Sequence, residues 1–277
     1  MDLGTLHSPV LIFGGPYSNL AATQAMQAEA ARLGIPAQQV ICTGDLVAYC
    51  AEPEATVQLI RDWGISVVMG NCEESLAQNA PDCGCGFDQG SACSLLSVEW
   101  YNFSNKRLPA DDKQWMSTLP RRLTFSLNGQ RFTVVHGSYE RINEFVFASE
   151  DKALKVHQRQ LAESDVLIGG HCGLPFGTAL GTGYWLNSGV IGMPANDGTR
   201  DGWYMLLQPV DGQINVSWHR LAYDANHAAE RMRQAMLSDA YANALMTGLW
   251  PSVDILPAAE QAQTGTRLEI APLLMTP

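Results

Sequence analysis

Four side chains that can bind a metal ion follow short apolar runs of this sequence, each next to a glycine. They are Asp45, Asn71, His136 and His171. In an open α/β sheet the carboxyl ends of the strands form the edge where ligands bind, so we expect these side chains to converge there. One carboxylate oxygen, one amide oxygen and two imidazole nitrogens are a mixed ligand set that suits Zn, Mn, Fe or Ni.

Each of these residues taken singly has an ordinary structural explanation. The pair Gly44-Asp45 is of a kind common in turns, and a single histidine at a strand end is more often a structural residue than a ligand. The prediction of a metal site therefore depends on the recurrence of the pattern at four strand ends.

The elements that must position these residues are short apolar runs that alternate with helical patterns. Runs at 10–13, 40–42 and 65–69 are predicted strands, and helices are predicted between them. This alternation is typical of an α/β fold with a mainly parallel sheet. Asn128-Gly129 between two apolar runs predicts a hairpin. The last residues, from Trp250, are expected to be extended.

Composition narrows the class of protein. The 277 residues carry a formal net charge of −11, 16% are charged and 46% are hydrophobic, which excludes an intrinsically disordered chain. The negative balance makes nucleic acid an unfavourable partner and argues against an anionic membrane surface, whereas a small phosphorylated substrate remains compatible if a metal supplies positive charge. The absence of a ~20-residue apolar run and of a signal-peptide pattern predicts a cytoplasmic protein, whose thiols stay reduced, so a disulfide framework is not expected.

The polar residues stand in ordered motifs. The sequence contains Gly44-Asp45, Gly70-Asn71-Cys72-Glu73, His136 within VVHGSY, and Gly170-His171, followed by LNSGVIGMPANDGTRDGWYMLL. This order resembles that of the calcineurin-like metallophosphoesterases, in particular their compact bacterial and archaeal branch, which are marked by the blocks D-x-H, G-D, G-N-[HC]-[DE], H and G-H-x-H. The resemblance spans about residues 9–248.

The resemblance implies an α/β (α+β) four-layer sandwich, with two mixed β-sheets face to face and helices outside. We predict this domain over residues 1–222, with a helical, cysteine-rich insertion at 74–120. C-terminal helices and an extended tail, 223–277, are expected to pack on it. The family uses two metals, which polarise a phosphoryl group and generate a hydroxide nucleophile. The matching residues are Asp45, as the bridging carboxylate, and the further ligands Asn71, His136 and His171.

Two of the family's blocks are changed. Gly15 stands where the first block has Asp, Tyr17 where it has His, and Gly173 where the last block has its second His. All three losses fall on the same metal, so we predict a site for one ion, held by the four residues named above. Two metals with substitute ligands, or no metal, are the alternatives. The substitute ligands would be Tyr17, Cys72, Glu73 or Cys172.

Cys72 occupies the position that in many relatives carries a histidine acting as general acid. With Asn71 and His136 it makes up the candidate catalytic set. A thiol is a poor general acid for an alkoxide, which favours activated leaving groups such as phenols or phosphoanhydrides. The alternative is that Cys72 is a small packing residue.

Three further cysteines lie close together in a glycine-rich segment. Cys83, Cys85 and Cys93 fall within eleven residues. Three interpretations stay open: a tight loop with partly buried thiols, a redox pair, or a zinc or iron–sulfur site that Cys72 would complete.

The sequence therefore predicts a metal-dependent phosphoesterase for a phosphomonoester, phosphodiester or phosphoanhydride. Asn19 and Arg200 are the candidate substrate-binding residues, and a homo-oligomer is compatible with the sequence. The alternatives are a catalytically silent family member that binds a ligand or partner, and a thiol-based metal or redox site on the same fold.

Overall fold

Two mixed six-stranded sheets form the centre of the structure, a computed structural model that describes residues 1–88 and 90–276. Residues 89 and 277, in the predicted insertion and tail, lie outside the described residues. Strands are numbered in chain order. The first sheet has the spatial order β1 (Asp2–Leu6), β5 (Leu123–Leu127), β6 (Gln130–Val134), β7 (Val166–Gly169), β9 (Tyr184–Ser188) and β8 (Pro175–Ala179). The second has the order β12 (Leu273–Met275), β11 (Gln213–Leu221), β10 (Gly202–Val210), β2 (Val10–Phe13), β3 (Val40–Cys42) and β4 (Ser66–Val67).

Side chains that alternate along the buried strands pack into two separate cores, one on each face of a sheet. In β2, Val10 and Ile12 face the first sheet and join a core that also contains Phe125 and Phe132. Leu11 and Phe13 face the opposite way, into the core beneath the helices. Successive side chains of a strand point to opposite faces, so one continuous apolar run serves two cores.

Helices cover the outer faces of both sheets. The helices are α1 (Leu20–Arg32), α2 (Pro53–Trp63), α3 (Asn71–Ala77), α4 (Ala92–Arg107), α5 (Ala110–Met116), α6 (Lys152–Leu161), α7 (Ala225–Gln234), α8 (Asp239–Thr247) and α9 (Ala258–Gln261). Helices α1, α2, α7 and α8 contribute to the core outside the second sheet, and α6 packs on the first. The predicted sandwich of two mixed sheets with helices is confirmed. None of the helices described is both long and apolar enough to cross a membrane.

The edges of the sheets differ from the sequence prediction. The strand predicted at 65–69 is only Ser66–Val67, because the Met69 amide donates to Pro120 rather than continuing the ladder. Strands β1 and β8 were not predicted. The tail contains β12, which pairs antiparallel with β11 and buries Met275 between the sheets.

Parallel pairing determines where the polar residues lie. Strands β2, β3 and β4 run parallel in the second sheet, and β6, β7 and β9 run parallel in the first. The segments that follow β3 and β4 therefore emerge at one edge, and those that follow β6 and β7 emerge at the facing edge. Asp45 and Asn71 come from the second sheet, and His136 and His171 from the first.

Candidate metal centre

Asp45, His136 and His171 form a compact buried group in which one ligand atom of each lies within 4.8 Å of the others. His136 Nε2 is its centre. This nitrogen lies 3.0 Å from His171 Nδ1, 3.2 Å from Asp45 Oδ2 and 3.0 Å from Asn71 Oδ1. The structure thus brings together all four residues that the sequence singled out as ligands.

Backbone carbonyls fix the tautomers of both histidines. His136 Nδ1–H donates to the carbonyl of Thr43 at 2.7 Å, and His171 Nε2–H donates to the carbonyl of Cys85 at 3.1 Å. In their neutral forms the remaining nitrogens, His136 Nε2 and His171 Nδ1, therefore carry lone pairs. These are the two nitrogens that face each other.

The orientations of Asn71 and Asp45 are fixed in the same way. The Asn71 amide nitrogen donates to the carbonyl of Cys83 at 2.9 Å, so its oxygen turns toward the histidines. Asp45 Oδ1 accepts from the backbone amide of Cys72 at 3.2 Å, which leaves Oδ2 facing His136. Four acceptor atoms, two oxygens and two nitrogens, consequently point at one another.

Such an arrangement suits a bound cation. Buried acceptors without a donor or a positive charge between them are costly, because each has lost its hydrogen bonds to water. The distances of 3.0–3.2 Å from His136 Nε2 to the other three atoms are those of neighbouring ligands around an ion with bonds of about 2.1 Å, and a mixed N/O set suits a divalent transition metal. The residues present fit the kind of ion that the fold family implies.

The electrostatics of the group agree with its geometry. Burial alone would raise the pKa of Asp45, but His136 and His171 hold it below its ordinary value. Burial would lower the pKa of His136, and the carboxylate of Asp45 raises it instead. Burial and the charge on His136 lower the pKa of His171 to about 3. The site thus favours a negative carboxylate that balances a positive charge.

Glu73 supports the site from behind. Its carboxylate accepts from the backbone amides of Asp45, Leu46 and Gly70 at 2.7–2.8 Å, and its side chain is fully buried. Burial and the charge of Asp45 raise its pKa to about 7. Both oxygens are occupied by these amides, so Glu73 holds the Asp45 loop instead of acting as the substitute ligand that the sequence offered.

Close approach requires a glycine at position 70. A Cβ there would lie 2.6 Å from the backbone nitrogen of Asp45 and 2.7 Å from Glu73 Oε2. The glycine of the G-N-C-E block therefore lets the loops after β3 and β4 touch, and this contact brings Asp45 and Asn71 together.

The two residues that change the first block, Gly15 and Tyr17, are in contact in the structure. A Cβ on Gly15 would lie 2.5 Å from Cζ of the Tyr17 ring, so this ring occupies the space where a side chain of residue 15 would begin. Tyr17 is 6% exposed and lies beside Asp45 in a pocket wall, where it contacts the Tyr49 ring edge-on at 4.8 Å. The Cys172 sulfur accepts from the Asn187 amide at 3.2 Å and is also part of that wall.

Two of the three clustered cysteines are paired. Cys83 and Cys85 form a disulfide, and Cys93 is free and buried. Within the described part of the chain these cysteines do not form a second group compact enough for a metal ion. Cys72 is buried at the start of α3, with its sulfur 3.5 Å from the Asn71 amide nitrogen, and burial raises its pKa well above the ordinary value.

The two candidate substrate-binding residues have structural tasks. Asn19 caps α1 by accepting from the Ala22 amide at 3.1 Å, and its own amide donates to the Gly192 carbonyl at 3.0 Å. Arg200 is exposed and donates to the Met246 carbonyl at 2.7 Å. Its guanidinium thus binds the end of α8 rather than the residues around Asp45.

The sequence analysis missed the residues that orient the ligands. Thr43, Cys83 and Cys85 act through their backbone carbonyls, which every residue type has, so no side-chain pattern marks them. It also missed the aromatic residues beside the site, which come from distant segments. Only Thr43 had a local signal, because it precedes Gly44-Asp45 directly.

Comparison with known proteins agrees with this fold. A family model described as the calcineurin-like phosphoesterase superfamily domain matches residues 17–211. The chain is 22% identical over 256 residues to an uncharacterised protein of Methanocaldococcus jannaschii, covering 87% of this chain and 98% of that one. This protein belongs to the calcineurin-like phosphoesterase superfamily.

Two solved structures have the same fold. A metallophosphoesterase from Sphaerobacter thermophilus aligns with a TM-score of 0.68 at 22% identity, covering 88% of this chain and all of that one. A hypothetical protein from Pyrococcus horikoshii aligns with a TM-score of 0.74 at 16% identity, again over 88% of this chain and all of the other.

Proposed function

We propose that this protein is a metal-dependent phosphoesterase that holds a single divalent ion between Asp45, Asn71, His136 and His171. The observation behind this proposal is that four buried acceptor atoms face one another, each oriented by a hydrogen bond to the backbone. The substrate is a small phosphorylated molecule, and Zn, Mn, Fe and Ni are the ions that the ligand set favours.

The bound ion and the side chains of the protein have different roles in the proposed reaction. A bound divalent ion polarises a phosphoryl oxygen and lowers the pKa of a coordinated water, which supplies a nucleophile at neutral pH. Asp45 contributes the negative charge that holds the ion. The carbonyls of Thr43 and Cys85 keep both imidazoles in the ligand tautomer, and hydrogen bonds of this kind to a ligand histidine increase metal affinity. Asn71 presents its oxygen and not its amide nitrogen to the site.

Metal titration combined with an activity assay tests the proposal. Metal-free protein is titrated calorimetrically with Zn, Mn, Fe and Ni, and hydrolysis of p-nitrophenyl phosphate and bis-p-nitrophenyl phosphate is measured with each ion. We expect about one equivalent to bind. His171→Ala should weaken binding at least tenfold, because loss of one ligand leaves the ion with a poorer set, and should abolish turnover.

The control is His227→Ala. His227 is an exposed histidine on α7, so its loss should change neither metal affinity nor turnover. A wild-type protein that binds none of the four ions and hydrolyses neither ester would contradict the proposal.

A non-catalytic, ligand-binding role is the second candidate. The observation that favours it is the Tyr17 ring above Gly15, where the first block of active relatives has a ligand. Stoichiometric metal binding without hydrolysis of any phosphoester would support this role instead.

A further inference from the structure

Building on the proposed function, we propose that the substrate is a phosphoester of an apolar, aromatic alcohol, and that a pocket beside Asp45 and His171 binds this leaving group. The pocket opens directly at these two residues.

Aromatic side chains form six of the seventeen positions described in the wall. They come from the first-block loop, the loop after β3, the cysteine-rich segment, the segment before α6, helix α8 and the residue that begins the tail. The aromatic residues are Tyr17, Tyr49, Phe87, Phe145, Tyr241 and Trp250. Ring centroids of Tyr49 and Tyr241 lie 4.6 Å apart, and the Phe145 ring lies 4.2 Å from the imidazole of His171. A planar apolar ligand can stack on the aromatic rings of such a wall.

Two of the three positions that lost metal ligands, 17 and 173, line this pocket. A Cβ on Gly173 would lie 3.7 Å from the Tyr17 hydroxyl and 3.8 Å from the Val190 side chain, inside the space that the wall encloses. Histidine at position 173 would extend into this space. At positions 17 and 173, residues that would bind a metal ion are therefore replaced by residues that line an apolar space next to the remaining ligands.

The charge of the wall selects against polyphosphates. Among the residues described in the lining, none is lysine or arginine, and Asp45 is negative. A second phosphate bound in this pocket would have no lysine or arginine of the lining to balance its charge. A neutral aromatic ring has no such cost and gains from removal of its apolar surface from water.

A phenol as leaving group is consistent with Cys72 being a poor general acid. Water attacks the phosphorus, the bond between phosphorus and the aryl oxygen breaks, and that oxygen leaves as phenolate, which takes a proton from solvent. The products are a phenol and inorganic phosphate, or a phosphomonoester when the substrate is a diester. A phenol, with a pKa near 10, leaves without the strong general acid that an alkoxide needs. The buried thiol of Cys72 could not supply such an acid.

Two phosphonates that are not hydrolysed test the pocket by binding alone. Phenylphosphonate and methylphosphonate present the same charged head to the ion and differ in the apolar group. With protein saturated in Mn²⁺, calorimetry should show phenylphosphonate binding at least tenfold tighter. Phe87→Ala removes a partly buried ring of the wall and should reduce this ratio severalfold. Leu95→Ala, at a position 67% exposed on α4, should leave it unchanged.

The outcomes separate this inference from the proposed function. Equal affinities for the two phosphonates would overturn the pocket assignment while the phosphoesterase proposal stands. A tenfold preference that Phe87→Ala leaves intact would also overturn it. Failure of both phosphonates to bind the Mn²⁺-loaded protein would overturn both proposals.

Discussion

Gly15 and Tyr17 illustrate how substitutions in one motif depend on each other. Both residues have positive φ angles, 43° and 53°, and the tyrosine ring lies over the glycine. Any larger residue at position 15 meets this ring as well as the backbone strain of a left-handed conformation. The loss of the first-block carboxylate and the gain of the tyrosine thus form a single structural change.

Gly15→Ala should destabilise the protein by about 2–4 kcal/mol, as strain and overpacking add. Gly34→Ala is the matched control. Gly34 also has a positive φ, 68°, but nothing lies within 4 Å of its Cβ position, so only about 1 kcal/mol should be lost. Urea unfolding measures both variants. Equal losses would show that the ring does not restrict residue 15.

The segment between α3 and α4 acts as a single element on the candidate metal centre. Its Cys83 carbonyl accepts from Asn71 and its Cys85 carbonyl accepts from His171, so two ligands depend on one short loop. The disulfide between these cysteines restricts that loop. Asn143, which lies outside this loop, also holds it, because its side-chain amide donates to the Gly84 carbonyl at 2.9 Å.

Reduction of the disulfide should weaken metal binding about tenfold, which is a typical effect of disturbing the residues that orient ligands. Metal-free protein treated with a phosphine reductant is compared calorimetrically with untreated protein. The double variant Cys83→Ser/Cys85→Ser should bind as weakly as the reduced wild type and should not respond to the reductant. Identical affinities before and after reduction would show that the loop keeps its shape without the disulfide.

At the scale of the whole molecule, Asp197 connects the loop before β10 to β11 and to the tail. Its carboxylate accepts from Arg220 at 2.6 Å, from the Thr199 amide at 3.0 Å and from the Leu268 amide at 3.0 Å. Only 2% of the residue is exposed. The tail then continues into β12, so this contact anchors the last strand of the second sheet.

Asp197→Asn should cost about 2 kcal/mol at pH 7, because hydrogen bonds to a charged group are the stronger ones. Burial would raise the pKa of Asp197, but Arg220, Thr199 and Leu268 hold it below the ordinary 3.8. The stabilisation is therefore present above pH about 4 and is lost as the pH falls through the lowered pKa. The difference in unfolding free energy between wild type and variant should shrink accordingly. Asp211→Asn, at an exposed turn, is the control and should show little difference at either pH.

Much of the fold was predictable from local patterns. The strand Val10–Phe13 appears with the predicted bounds, and the helix Pro53–Trp63 lies between two predicted strands as expected, because apolar periodicity and flanking glycine or proline act locally. Strand β12 could not be predicted, because the residues Leu273–Met275 are a strand only through their pairing with β11, which is distant along the chain.

The family, the sandwich and the four acceptors could be predicted from the sequence, since residue types at strand ends and their order are local properties of the chain. The packing of the folded chain set the direction in which these acceptors face. That depends on carbonyls of Thr43, Cys83 and Cys85, which are close in space and distant along the chain. It also decided that the residues replacing the lost ligands enclose an apolar pocket, because packing between remote segments, and not any single motif, creates a cavity.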